Sequence, residues 1–197
     1  LKDPFMDNNP VTIQVLGICS ALAVTTLLKP TLVMGIAVML VICGSNLTIS
    51  FLRNWIPNRV RMIIELVVVA TLVIIIDQFL RAYAFEVSKE LSVFVGLIIT
   101  NCIVMGRLEA FAMGNKMWPS FLDGVGNGVG YAVIIAIVAF FREIIGSGTL
   151  MGYAVVPQMV YDLGYIDNGL MLLPPGAFVL LGLIVWVQRT VSGYEEK

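Results

Sequence analysis

Uncharged apolar stretches separated by short clusters of charge recur along the whole chain. Residues 8–28 lie between Asp7 and Lys29, and residues 30–52 run without a charge to Arg53. A third stretch, RMIIELVVVATLVIIIDQFLRAYAF at about 61–85, carries Glu65 and Asp77 near its two ends. The fourth, 91–106, is closed in by Glu90 and Arg107; the fifth, 124–141, opens with DGVGNGVGYAV; the sixth covers 168–188. A straight spanning helix needs about 20 apolar residues. The first, second, third and sixth stretches supply that, the fifth is adequate, and the fourth is too short to cross as one simple helix. The pattern predicts an all-α membrane protein of six transmembrane helices, folded as a single membrane domain over residues 1–197.

Composition agrees with the pattern. Hydrophobic residues make up 59% of the 197 and charged ones 13%, about half the charge of an ordinary soluble domain, so the lipid bilayer is the expected solvent. A net charge of −1 lacks the basic footprint of nucleic-acid binding. Three cysteines, an odd number in apolar surroundings, do not make a disulfide framework. LKDPFMDNNP has too little apolar length for a signal peptide, and a start at Leu1 leads us to expect a few residues ahead of it. With six crossings, one side holds Lys2, Arg53, Arg59, Arg61, Arg107, Lys116, Arg189 and Lys197, the other Lys29, Arg81, Lys89 and Arg142. The positive-inside rule then places both termini in the cytoplasm, with Trp55, Trp118 and Trp186 as interfacial anchors on that side.

An internal repeat changes the picture further. Aligning Cys19 with Cys102 sets QVLGICSALAV against LIITNCIVMGR, and the following spans end in SFLRNW and AFFREI. This suggests two halves of three spans, about 1–85 and 86–197. An odd number of spans per half inverts the second copy in the membrane, giving an inverted 3+3 repeat. Such repeats commonly put their site near the midplane, on broken helices at the repeat interface. Gly17, Gly96 and the short fourth stretch make segments 1 and 4 the expected broken helices.

Inverted copies of one element would bring Cys19 and Cys102 together. Buried cysteine is also a common small hydrophobe, and Cys43, with no counterpart in the other half, is read that way. A metal reading rests on thiolates, the usual ligands of iron–sulfur clusters in sets of four. This chain has two in matching positions and no histidine, so the other two would come from a second chain. Among the acids, Glu65 and Asp77 are expected to snorkel or to pair with Arg61 and Arg81, and Glu143 to form an interfacial pair with Arg142. Asp123 opens the fifth segment, where it is either a helix N-cap or an oxygen ligand for a hard cation. GVGNGVG has the letters of a dinucleotide fingerprint but heads a membrane span instead of following a strand, so no NADH site is read here. The 146–167 connection carries no catalytic motif.

NNPVTIQVLGICSALAVTT, GLIITNCIVMGRLEAFAMGNKMWPSFLDGVGNGVGYAVIIAIVAFFREIIGSG and LLPPGAFVLLGLIVWVQR closely resemble the D subunits of bacterial Na⁺-translocating NADH:quinone reductases, over essentially the whole chain. The related E subunit of the Rnf ferredoxin:NAD⁺ oxidoreductase is similar, but there proline is expected after the first cysteine, where Ser20 stands here. The resemblance implies a homologous E subunit of opposite topology, and a [2Fe–2S] cluster held by Cys19 and Cys102 together with two cysteines of that partner. It also implies an electron relay between flavin-carrying subunits across the inner membrane, coupled to Na⁺ translocation, which makes Na⁺ the cation expected at Asp123. Two cysteines per chain fit a single iron equally well. A small inverted-repeat secondary transporter is the rival reading from the repeat alone.

Overall fold

The computed structural model describes residues 11, 14, 16–57, 59–83, 95–150, 153–154 and 169–192. These form helices α1 (Ile18–Val24), α2 (Leu28–Leu52), α3 (Arg61–Tyr83), α4 (Val95–Ile99), α5 (Cys102–Arg107), α6 (Met117–Ser147), α7 (Gly169–Leu172) and α8 (Pro174–Ser192). A π-helical turn, Leu108–Ala112, continues α5, and a two-stranded antiparallel ladder pairs Thr149–Leu150 with Tyr153–Ala154. Helices α2, α3 and α6 are long and apolar enough to cross a membrane. At 31 residues, α6 is about 46 Å long, more than the roughly 30 Å hydrocarbon layer.

The core is built on the pairing of α2 with α6. Gly124, Gly128 and Ala132 recur every four residues, which puts them on one face of α6. A Cβ on Gly124 would sit 3.2 Å from Cys43 Cα, one on Gly128 3.0 Å from Met39 Cα, and one on Gly35 3.0 Å from Ala132 Cβ. Three successive turns of two antiparallel helices thus meet backbone to backbone, as small residues allow in membrane helices. Cys43, mostly buried, fills space in this seam.

Helix α3 is peripheral. Only 24% of its most apolar window is buried, against 56% for α2 and 50% for α6. Its buried stripe runs Glu65, Val69, Val73, Asp77, the i,i+4 row of one helix face. Asp77 pairs with Arg81 at 2.9 Å, as expected. Glu65 departs from expectation, because Arg61 pairs with Glu109 of the π-helical turn. The Glu65 carboxyl is fully buried, and neither oxygen has a hydrogen-bond partner.

The boundaries of four segments also differ from the expected ones. The first segment is helical only over α1 among its described residues. The fourth breaks at Thr100–Asn101, and Gly96 lies inside α4 instead of at the break. The fifth begins seven residues early: α6 starts at Met117, and Asp123 stands within the helix instead of capping it. The sixth is divided at Leu173 into α7 and α8. Most of the 146–167 connection lies outside the described residues, whereas Trp55, Trp118 and Trp186 are all exposed.

Candidate functional site

Cys19 is the second residue of α1, and Cys102 is the first of α5. Neither helix could stand alone, since isolated helices shorter than about 12–15 residues are marginal even in favourable sequences. Contacts with α6 hold both. Halfway along that helix the Tyr131 hydroxyl meets Ser20 Oγ at 2.7 Å. Ser20 Oγ also donates to the Gly17 carbonyl (2.9 Å) and accepts from Asn101 Nδ2 (3.1 Å). Tyr131, Ser20 and Asn101 are all fully buried, and this polar knot ties the start of α1 to the start of α5.

The two short helices run along α6 in opposite directions, and their far ends are both tied to it. Arg107, the last residue of α5, donates from Nε to Asp123 Oδ2 at 3.0 Å and from Nη2 to Asp123 Oδ1, near the start of α6. The end of α1 meets Arg142, near the end of α6: Arg142 Nη1 donates to the Leu22 carbonyl (3.2 Å) and to Thr25 Oγ1 (2.5 Å). So α1 runs with α6, α5 runs against it, and their N-termini converge at Tyr131. That residue is 14 positions from Met117 and 16 from Ser147, about 21 and 24 Å along the axis. The two cysteines therefore sit near mid-depth of a membrane-length helix.

At this meeting point the two cysteines stand on adjoining helix starts, joined through Gly17, two residues before Cys19. The Gly17 N–H donates to Cys102 Sγ at 2.9 Å, so the first broken segment also solvates the sulfur of the second. Gly17 can do this because its φ of +79° lies in the left-handed region, and because a Cβ there would stand 2.9 Å from the Tyr131 ring. Asn101 accepts from the Ile103 N–H at 3.3 Å and caps α5. Cys19 is exposed at the chain's surface and Cys102 partly so. Among the described residues no three histidine, cysteine or acidic side chains cluster to hold a metal; the pair stands as two thiols with one open side.

Cys43 lies beside Gly124, seven residues and about two helical turns from Tyr131. Asp123 is brought to the end of the α5 half-helix, not to the cysteines, and Asn127 Nδ2 joins Arg107 in donating to its Oδ1 at 2.9 Å. Arg142 and Glu143 are fully buried where the sequence suggests an interfacial pair, and they reach helix ends: Glu143 Oε2 accepts from the Leu28 N–H at 2.6 Å at the start of α2. Nothing in the sequence pattern singles out Tyr131 or gives Ser20 a hydrogen-bonding role. Asn101 does carry a local signal, since it stands directly before the helical run in a standard N-cap position.

Residues 1–185 match the Rnf-Nqr family, described as "Rnf-Nqr subunit, membrane protein". Among similar chains, the D subunit of the Na(+)-translocating NADH-quinone reductase of Psychromonas ingrahamii is 57% identical over 191 residues, covering 97% of this chain and 91% of that one. The protein of the same name from Photobacterium profundum is 58% identical over 189 residues, 95% and 90% of the two chains. That of Yersinia pestis is 56% identical over 192 residues, 98% and 92%.

Proposed function

The chain belongs to the Rnf-Nqr family of membrane proteins, and from that premise we propose that it is the D-type subunit of a sodium-pumping NADH:quinone reductase and supplies half the ligands of an iron–sulfur centre. The observation that carries the proposal is the convergence of the helix starts that bear Cys19 and Cys102, 83 residues apart in sequence, with the Gly17 N–H on Cys102 Sγ at 2.9 Å and Cys19 open at the chain surface. The donor set fits: thiolates are the natural iron–sulfur ligands, and the Gly17 N–H donates to one of the sulfurs. Two thiolates are half a four-thiolate set, so a homologous E-type subunit of opposite topology supplies the rest.

When bound, such a centre, in its [2Fe–2S] form, supplies one-electron redox chemistry between the flavin-carrying subunits on the two faces of the inner membrane. This chain's residues do the remaining work. Cys19 and Cys102 bind iron, Tyr131, Ser20 and Asn101 fix the two helix starts, and the apolar walls of α2 and α6 keep water from mid-depth. In this reading the chain crosses the membrane six times as an inverted 3+3 repeat, with both termini cytoplasmic. The test is iron content and quinone reduction in the purified complex. Cys19→Ala or Cys102→Ala should remove both, and Cys43→Ala should leave both near wild type. Wild-type iron in Cys19→Ala would overturn the assignment.

Asp123 enters the same proposal as an oxygen ligand on the sodium path. Both its oxygens are engaged by Arg107, so the ion must displace that guanidinium to bind. Asp123→Asn, whose amide oxygen can still accept from Arg107, should then raise the Na⁺ requirement of turnover with iron intact in the complex that assembles. An unshifted Na⁺ curve leaves the pair as a brace for α5.

A further inference from the structure

We propose that Arg142 and Glu143 are positioning residues for the Cys19 ligand: a two-armed clamp, rooted in α6, that fixes the seven-residue helix bearing Cys19. The inference rests on the proposed role of Cys19 and Cys102 as iron ligands.

Arg142 is fully buried and spends its guanidinium on helix ends. Besides the Leu22 carbonyl and Thr25 Oγ1, it donates from Nε to the Met171 carbonyl (3.0 Å) and from Nη2 to those of Leu172 (2.7 Å) and Leu173 (3.5 Å). The Leu22, Met171 and Leu172 carbonyls belong to the last turns of α1 and α7, where a helix carries its partial negative charge, and the Leu173 carbonyl also accepts from the Gly176 N–H in the first turn of α8. Glu143 does the converse at the start of α2, where the free N–H groups and the partial positive charge lie. Adjacent residues of one helix thus hold both sides of the Val24–Leu28 connection.

The consequence for the site follows from distance along α1. Leu22 is three residues, less than one helical turn, from Cys19. A seven-residue helix has too few internal hydrogen bonds to set its own position. Its N-terminal end is held by Ser20 and Gly17 and its C-terminal end by Arg142 together with Thr31 Oγ1, which donates to the Val24 carbonyl at 3.0 Å. Releasing Arg142 leaves that single neutral bond, and the helix, with the Cys19 sulfur, gains freedom to pivot about the Tyr131 knot. Lysine keeps the charge at this position but lacks the planar fork that reaches two helix ends at once.

The test compares assembled complexes carrying Arg142→Lys, Thr25→Val, Glu143→Leu, Glu143→Gln and Cys19→Ala with wild type. Each is scored for yield, iron content, the electron paramagnetic resonance spectrum of the centre and the rate of iron loss to a chelator. Arg142→Lys should lose iron about tenfold faster, the scale of a lost charge-assisted hydrogen bond, with an altered spectrum. Thr25→Val, which removes one acceptor and is the variant that decides if Arg142→Lys does not assemble, should lose it about threefold faster. Glu143→Leu, which strips the Leu28 N–H of its acceptor, should lose iron about threefold faster, and Glu143→Gln, whose amide oxygen can still accept, should stay within about twofold of wild type. Wild-type rates and spectra in Glu143→Leu overturn the Glu143 arm. Unchanged spectra and rates in Arg142→Lys and Thr25→Val overturn the clamp. So does a lower yield with unchanged spectra and rates in whatever assembles, which marks a role in folding alone. Iron retained in Cys19→Ala sinks the cysteine assignment instead, whatever the clamp variants do.

Discussion

The two half-helices that carry Cys19 and Cys102 reach the same point by different chemistry. Helix α1 is uncharged, starts at a left-handed glycine without a side-chain cap, and takes its anchoring charge, Arg142, from α6. Helix α5 carries its own charge, Arg107, and α6 supplies the counter-ion Asp123; its start is capped by Asn101. Charge sits on the frame in one case and on the short helix in the other. What both share is Tyr131 at the centre and an arginine at the outer end, fully buried at α1 and mostly buried at α5. Two outer anchors and one inner knot are what two short helices need to hold their N-termini together in a medium that offers no water.

This comparison can be broken one anchor at a time. The largest effect is expected at the α5 anchor. Asp123→Ala leaves Arg107, whose side chain is 13% exposed, without its partner, and losing one member of a buried pair costs about 3–5 kcal/mol. The complex should assemble poorly, and the double variant Arg107→Met/Asp123→Met should recover much of the loss when measured as thermal stability in detergent. A full loss in the double variant would show that the ion pair itself, not the stranded charge, is what matters.

Next comes the turn at the start of α1. Gly17→Ala places a side chain at φ +79°, costing about 1–2 kcal/mol in the backbone alone, and drives a methyl group into the Tyr131 ring. Iron content should fall sharply while the mirror variant Gly96→Ala, where a Cβ would meet nothing within 4 Å, stays at wild type. Equal iron in the two variants would remove Gly17 from the site. A smaller effect is expected at Asn101: Asn101→Ala loses a cap worth about 0.5–2 kcal/mol together with its bond to Ser20, and Asn101→Asp should restore the cap but not the donation to Ser20. Least of all, Tyr131→Phe removes one hydroxyl from the knot, about 1 kcal/mol, and should soften the spectrum of the centre without emptying it.

Much of this frame is legible in the letters of the chain. Helices α2, α3 and α6 fall on uncharged runs because lipid imposes apolarity, and Cys19 and Cys102, which aligning QVLGICSALAV with LIITNCIVMGR sets against each other, stand on adjoining helix starts. The same reasoning cuts α6 short. Taking Asp123 as a boundary assumes that a charge marks the membrane surface, yet Arg107 neutralises it from another helix and lets α6 run back to Met117, with Pro119 tolerated in the first turn. Arg142 and Glu143 mislead for the same reason. Adjacent opposite charges look like an interface, but their partners at Leu22, Leu28 and Leu172 are distant, uncharged backbone groups that no local pattern announces. Gly124 and Gly128 are readable as a packing seam because the four-residue spacing is itself local.

The central claim is that Cys19 and Cys102 both bind iron directly at the junction of the two half-helices. X-ray absorption at the iron edge of the purified complex tests it most directly. The account predicts that Cys19→Ser and Cys102→Ser each replace one sulfur neighbour of iron by a lighter, shorter-bonded oxygen, and that Cys43→Ser leaves the sulfur shell as in wild type. An unchanged sulfur shell in either of the first two variants would contradict it.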